Sequence, residues 1–502
     1  MKKLNCFWYY NKNGYPEVRK HLIAEFLENH GFRLMELNKQ LVIVKIIKNV
    51  VEVIENEIEI RQFLIEYVRN QSDLEYSGII KESVINLFKE LKSGLIFDAI
   101  QKAELNFMED TIDYTNKFFK NCVLRIFKDT IEIFKYEELD GYVLKSDILN
   151  HEIKLAKEDK INNFPFALFL QRCMGEVDQN YNSIQTAIGY LSSKYKIKKY
   201  NRAIIFCDQN STSSAEGGTG KSLTAEALKN FNNSVFEDGK NYKSGTFTNQ
   251  QVELGTRLFI IDDSNKNFKF ESLFSSITNG FQIEKKYKAK YVMSYKDSPK
   301  ILITTNYTIY GRGYSFERRI YEYEFTDYYG RNRSPKDEFD KIFFDEWDWE
   351  DWNSFYNYMV KCVQLYHTYG IIAATYFNSE EKRLERSTSK EFVEFMSDQK
   401  FTGFIAKAHL HNTFLEEYSD FKWLTQRSFN DWVRIYFESY NVNYSESKKN
   451  GGTRAWVFES TPPNETKTKV LPLIVESRTP IPGPPMPPEP TDLMKIKKGN
   501  RA

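Results

Sequence analysis

Apolar residues recur along this chain in three rhythms, and each predicts a different element. Glu17–His30 carries them at helical spacing and stops at Gly31. Gln62–Asn70 is helical again, whereas Leu41–Ile47 is a β-branched run that predicts a strand. Cys122–Phe127 and Thr130–Phe134 flank Lys128-Asp129, which predicts a hairpin. Between 156 and 200 the spacing is helical, with Phe166, Leu170, Cys173 and Met174 on one face. Ala203–Cys207, Leu258–Ile261 and Ile301–Thr304 are continuous apolar runs bounded by turns, the pattern of a central parallel sheet. The aromatic stretch holding Trp347, Trp349, Trp352, Phe355, Tyr358 and Met359 predicts core helix. Phe429, Trp432, Val433 and Tyr436 fall at i, i+3, i+4 and i+7 of a helix that Thr425 caps and that runs to Tyr440. A hairpin across Asn450-Gly451, roughly Val442–Phe458, follows with Lys448, Lys449 and Arg454.

These rhythms divide the chain into a small α+β unit (1–95), a hairpin and helical region (96–200), an alternating strand-and-helix block (201–330), a helical aromatic-rich region (331–375), a helix-plus-hairpin block (376–460) and a tail (461–502). The tail holds ten of the 14 prolines and reads as extended and disordered.

Composition changes the picture in a few places. A chain of 502 residues is long enough for about three domains. Seventy Lys+Arg against 69 Asp+Glu give a net charge of +1, so any nucleic-acid contact must come from a local basic patch. No stretch approaches the roughly 20 apolar residues of a membrane span. The basic start Met1-Lys2-Lys3 is not followed by the apolar run of a secretory signal. The five cysteines are scattered without a CxxC pair, which predicts reduced thiols in a cytoplasmic protein rather than disulfides or a zinc site. His409 and His411 read as ordinary polar residues.

Candidate chemistry begins at 215–222, Ala-Glu-Gly-Gly-Thr-Gly-Lys-Ser. This fits the phosphate-binding pattern GxxxxGK[ST] except at Ala215, between an apolar strand and a helical run. Gly217, Gly218 and Gly220 permit positive φ, so successive N–H groups around Thr219 can turn toward phosphate oxygens. Lys221 would neutralise the outer phosphates of ATP, and Ser222 would ligate Mg²⁺. Forty-one residues on, the apolar run 258–261 ends in two acids. Asp262 would hold the Mg²⁺ shell, and Asp263 would orient the attacking water. The run at 301–304 delivers Asn306 to the same carboxyl edge, within reach of a γ-phosphate or that water.

The order Ala215–Ser222, Leu258–Asp263, Phe281–Lys290, Ile301–Asn306 and Arg318–Phe325 resembles the superfamily 3 helicases, AAA+-related proteins of viruses, phages and mobile elements, most closely the phage and poxvirus primase-helicase type. The resemblance is specific over 201–330, looser over 96–200 and weak over 1–95. It implies an AAA+-like P-loop ATPase core within a multidomain α/β chain and assembly into a homo-oligomeric ring, a hexamer by analogy. It also implies 3′–5′ movement on single-stranded DNA. In the family, the segment Phe281–Lys290 is a hairpin that reaches into the central channel, where Lys286 and Lys288 match the DNA-contacting positions. Lys285, Lys290 and Tyr287 add charge and a stacking ring. Arg319 matches the arginine finger that acts on ATP held by the neighbouring subunit, with Arg318 and Arg312 as alternates. Family members often carry a primase; residues 1–95 are too short for one, so a separate primase or replication protein is an expected partner.

The C-terminal helix and basic hairpin resemble a winged helix, which would bind DNA or serve as a packing domain. Two rival functions remain open on the sequence. One is an origin- or replicon-binding protein whose assembly ATP switches; the other is a P-loop ATPase that packages DNA or remodels protein.

Overall fold

The computed structural model describes residues 6–37, 40–71, 76–87, 97–157, 161, 163–209, 217–242, 249–265, 268–285, 290–307, 309, 314–375, 384–385, 387–448 and 453–458. The Pro-rich tail and the Asn450-Gly451 turn lie outside them.

The N-terminal part opens on a two-stranded ribbon, β1 (Trp8–Tyr10) and β2 (Pro16–Val18), and the helix Lys20–Asn29. Strands β3 (Phe32–Leu37), β4 (Gln40–Ile47) and β5 (Val50–Val53) form an antiparallel meander. The helix Glu57–Arg69 begins with a capping box, Asn56 and Glu59 satisfying each other's backbone donors. The helix Ser77–Asn86 follows. Phe26, Leu27, Ile60 and Leu64 are fully buried in the resulting core.

Strands β6 (Tyr114–Phe119), β7 (Val123–Phe127) and β8 (Ile131–Phe134) make a second meander, with β7 and β8 in the hairpin that their sequence predicts. β9 (Val143–Leu144) leaves this region and pairs in parallel with Val50 and Val51 of β5. β10 (Ile148–Leu149) pairs in parallel with β6. The sheet of β3, β4 and β5 therefore takes its fourth strand from beyond residue 95.

The helices Pro165–Cys173 and Asp178–Ser192 lead into a five-stranded, wholly parallel sheet. Its strands are β11 (Ala203–Asp208), β12 (Ser234–Asp238), β13 (Leu258–Ser264), β16 (Lys300–Thr305) and β17 (Ile320–Phe325), in spatial order β12-β13-β16-β11-β17. β14 (Gly280–Ile283) and β15 (Tyr291–Ser294) form a separate hairpin between β13 and β16.

Alternation within the apolar runs assigns each residue to a face. Ile204, Phe206, Leu258, Ile260 and Leu302 pack toward the helices Pro165–Cys173, Asp178–Ser192, Lys221–Phe231 and Trp349–Tyr369. Ala203, Ile205, Phe259, Ile261, Ile301 and Ile303 pack on the other side with Phe281 and Ile283 of the hairpin. Both faces are covered, which is why these strands read as unbroken apolar runs. Trp347 is core, with its ring centroid 4.6 Å from Phe344 and 5.3 Å from Phe355. Trp349 is exposed.

The last unit has the order helix Lys390–Ser397, β18 (Gly403–Ala406), helices Lys407–Glu417 and Gln426–Ser439, then β19 (Ser445–Lys448) and β20 (Arg454–Phe458). Its antiparallel sheet runs β18-β20-β19. Thr425 caps its helix by accepting from the Ser428 N–H, and Phe429, Trp432, Val433 and Tyr436 are its buried stripe. His411 is buried against the Leu424 carbonyl at 2.9 Å. All five cysteines are free thiols, four of them buried. Among the described residues, no helix is long and apolar enough to cross a membrane.

Candidate active site

The carboxyl ends of β11, β13 and β16 converge on the loop that enters the helix Lys221–Phe231. Gly217, Gly218 and Gly220 have φ of 64°, 85° and 103°, a region closed to most side chains. Gly220 also has no room for one: a Cβ there would stand 2.7 Å from Phe169 and 2.8 Å from the Cys173 sulfur. The loop thus rests on the helix Pro165–Cys173, and the Cys173 thiol bonds the Thr219 carbonyl at 3.4 Å. Burial pushes that thiol's pKa well up, so it is packing and not a nucleophile. Gly218 and Ser222 face solvent. Ala215 lies outside the described residues.

Lys221 is buried and donates to Asp208, the last residue of β11, and to the Thr219 hydroxyl at 3.0 Å. Thr219 itself donates to Asp208 at 2.6 Å. The cation that would meet phosphate is therefore held by an internal carboxylate.

The acids form a second, connected set. Ser222 donates to Asp262 at 3.0 Å, and Thr304 of β16 donates to the same oxygen at 2.6 Å. The Thr304 hydroxyl in turn accepts from the Asp263 N–H at 2.8 Å. Asn306 donates to Asp263 Oδ1 at 3.2 Å, and Lys240 pairs with Asp263 Oδ2 at 2.6 Å. β13 slips register between Ile261 and Ser264, and Asp263 sits there at φ 53°. This left-handed bulge turns two adjacent acids toward one edge, where a regular strand would send them to opposite faces.

A hydroxyl and a carboxylate 3.0 Å apart beside a phosphate-type loop are hard oxygen donors suited to Mg²⁺, which takes few protein ligands when phosphates complete its shell. Among the described residues, no group of three or more His, Cys, Asp or Glu could hold a metal by itself.

Gly217–Ser222, Asp262, Asp263 and Asn306 therefore stand together. Arg319 does not. It precedes β17, which is parallel to β11, and so lies at the opposite, amino-terminal edge of the sheet. Its guanidinium stacks 4.5 Å over Phe274 and donates to the Ser315 carbonyl at 2.5 Å. Six-residue strands separate the two edges, about 20 Å at 3.3 Å per residue. The segment around Lys285 is a hairpin, with Gly280–Ile283 paired to Tyr291–Ser294 and Lys285 bonded to Glu253 at 2.5 Å. Lys286 and Lys288, like Arg312, lie outside the described residues.

Three residues of the site escape a reading by sequence. Asp208 follows the apolar run 203–207 directly, and Thr304 precedes the Thr-Asn tip of β16, so both left a positional signal. Lys240 left none, because its partner is made across the sheet edge.

The fold and the loop define a multidomain α/β chain with a glycine-lined loop and paired acids at the carboxyl edge of a parallel sheet. No protein-family model matches the chain, and no curated protein matches it. Among solved structures, the A-form apo structure of the NrS-1 C-terminal region aligns with 87% of this chain and 99% of its own, at 11% identity and a TM-score of 0.38. The SCCmec type IV Cch structure, described as an active helicase, aligns with 82% of this chain and 70% of its own, at 14% identity and a TM-score of 0.27. At such scores the site stands on its own geometry.

Proposed function

We propose that the chain is an ATP-dependent DNA helicase of the superfamily 3 type, acting in the replication of a phage, virus or mobile element. The observation that carries this reading is the unbroken chain Ser222–Asp262–Thr304–Asp263–Asn306 beside three left-handed glycines. A structural acid pair would have no use for a hydroxyl at a helix start and an amide at the next strand's end.

In this reading ATP lies along Gly217–Gly220, whose N–H groups and helix start favour negative charge. Lys221 exchanges Asp208 for phosphate oxygens. Ser222 and Asp262 hold Mg²⁺, which supplies charge neutralisation on the phosphates. Asp263 takes the proton of the attacking water, and Asn306 fixes the orientation of that carboxylate. Arg319 serves the site of a neighbouring subunit, so activity needs a homo-oligomer, a hexameric ring by family likeness. Lys286 and Lys288 contact single-stranded DNA, which moves 3′ to 5′. The C-terminal unit, with helices followed by two paired strands, serves as a winged-helix-like DNA- or protein-binding module; the exposed Trp423 and Arg427 favour contact with a partner. A separate primase or replication protein completes the machinery.

The test is ATP hydrolysis with and without single-stranded DNA, on wild type and Lys221→Ala. Strong stimulation that disappears in the variant supports the motor. Hydrolysis indifferent to DNA overturns it and favours an ATP-switched origin-binding protein or a packaging or remodelling ATPase.

A further inference from the structure

At the amino-terminal edge of the parallel sheet, away from the phosphate loop, the chain lines a half-open cavity of about 880 Å³. That is within the range of small-ligand sites, roughly 300–1,000 Å³. One wall comes from residues 105–147. The other comes from the segment before β13, the linker holding Lys194 and Lys196, and the turn Tyr295–Asp297. β15 ends at Ser294 and runs straight into that turn, so the cavity lies at the root of the hairpin.

Most charges around it are already spent. Buried Arg257 bonds Asp110 at 3.0 Å and lies 3.6 Å from Asp147. Lys296 pairs with Glu109 at 2.5 Å, and Arg125 with Asp140 at 3.9 Å. Lys194 and Lys196 remain, two residues apart on one extended segment, with the Asp297 carboxylate, which accepts from the Ser294 hydroxyl at 2.7 Å, near both. Among the described residues, neither ammonium forms an ion pair. Among the described residues, Lys196 donates to the Ser298 carbonyl and hydroxyl and lies 4.7 Å over the Tyr295 ring. The Tyr295 hydroxyl is buried and has no hydrogen-bond partner among the described residues. Two half-buried ammoniums and one orphaned hydroxyl on the same wall are the donors that a phosphate accepts from. Burial first and Lys194 second pull Lys196 down to about 7 although Asp297 already offsets part of the shift, and a bound anion would offset more. The facing wall supplies Phe107, Tyr114 and Tyr142, flat rings suited to stacking a base.

We propose that this cavity binds a nucleotide, with its phosphate on Lys194, Lys196 and the Tyr295 hydroxyl and its base against the aromatic wall. The nucleotide is either free or one unit of a single strand. The assignment does not rest on the motor reading, because a chain that hydrolyses nothing would carry the same cavity.

The experiment uses the full chain with Lys221→Ala, which silences the phosphate loop. Binding of thymidine monophosphate is measured by calorimetry. A 20-mer of thymidines bearing 4-thiothymidine is crosslinked by long-wave light and the peptides are mapped. The expected result is crosslinking at Tyr114, Tyr195 or Tyr295, lost in Lys194→Ala/Lys196→Ala. Tyr295→Phe, which removes the orphaned hydroxyl and leaves the turn's Ser294–Asp297 and Ser294–Ser298 bonds in place, should weaken binding about tenfold. Competition by the free monophosphate assigns the site to a free nucleotide; crosslinking that it does not displace assigns it to a strand. Crosslinks confined to residues 284–290 and the C-terminal unit, with no calorimetric site for the monophosphate, overturn the proposal. So does an affinity unchanged in both variants.

Discussion

Lys240 holds Asp263 at 2.6 Å while Asn306 bonds its other carboxylate oxygen at 3.2 Å. The residue proposed to activate water therefore has both oxygens engaged. The same contact raises the pKa of Lys240, so the latch stays charged across the neutral range. Lys240→Ala should raise hydrolysis without DNA a few-fold and shrink the stimulation by DNA. An unchanged or lower basal rate would make Lys240 a positioning group instead.

Asp263→Asn keeps a side chain that tolerates the left-handed backbone, so the fold should survive. Removing the base should cost roughly 10²–10⁴ in hydrolysis with ATP affinity nearly intact. Loss of ATP binding, read by equilibrium dialysis, would contradict that division between Asp263 and the loop.

Gly220→Ala and Gly217→Ala separate crowding from conformation. Both positions have positive φ, but Gly220 faces Phe169 and Cys173, whereas among the described residues nothing lies within 4 Å of a Cβ at Gly217. Gly220→Ala should abolish nucleotide binding and lower the melting temperature. Gly217→Ala should weaken binding only, through strain of about 1 kcal/mol.

Arg319→Ala should lose about 10³ in hydrolysis without losing ATP. Mixed with Lys221→Ala, it should regain part of the activity, because the first chain offers an intact loop and the second an intact arginine. No recovery in subunit-exchange assays would argue against service across subunits.

Lys196 has a pKa lowered to about 7, first by burial and then by Lys194. The unfolded chain holds its proton up to about 10.5, so between these values it binds more protons than the folded one. Stability should therefore rise with pH from about 7 to about 10.5, and the destabilising effect of burying Lys196 is fully present below 7. Lys196→Met should be favoured over wild type most below pH 7, with the gap in urea melts narrowing from there and closing only near pH 10.5. A gap that does not vary with pH would show that Lys196 is not titrating there.

What the sequence disclosed follows from where each signal is stored. β11, β13 and β16 are buried on both faces, so composition alone marks them. β12 (Ser234–Asp238) is an edge strand of mixed character and left no such mark. The helix at Gln426 was legible because one stripe faces one core. The acids of β13 were legible as a pair, but the bulge that aims both at one edge was not, because nothing in Leu-Phe-Ile-Ile-Asp-Asp specifies a register slip. The Lys221–Asp208 and Lys240–Asp263 pairs join residues 13 and 23 positions apart, and only the packed sheet brings them together.

The pairing of Val50–Val51 with Val143–Leu144 carries a practical consequence. A fragment begun near residue 96 would strip β9 of its neighbour and expose Val143 and Leu144, buried in the whole chain. Such a fragment should aggregate or add the edge of another copy. Biochemistry on such a fragment would then report an artificial assembly, with a stoichiometry set by an amputated sheet rather than by the whole chain.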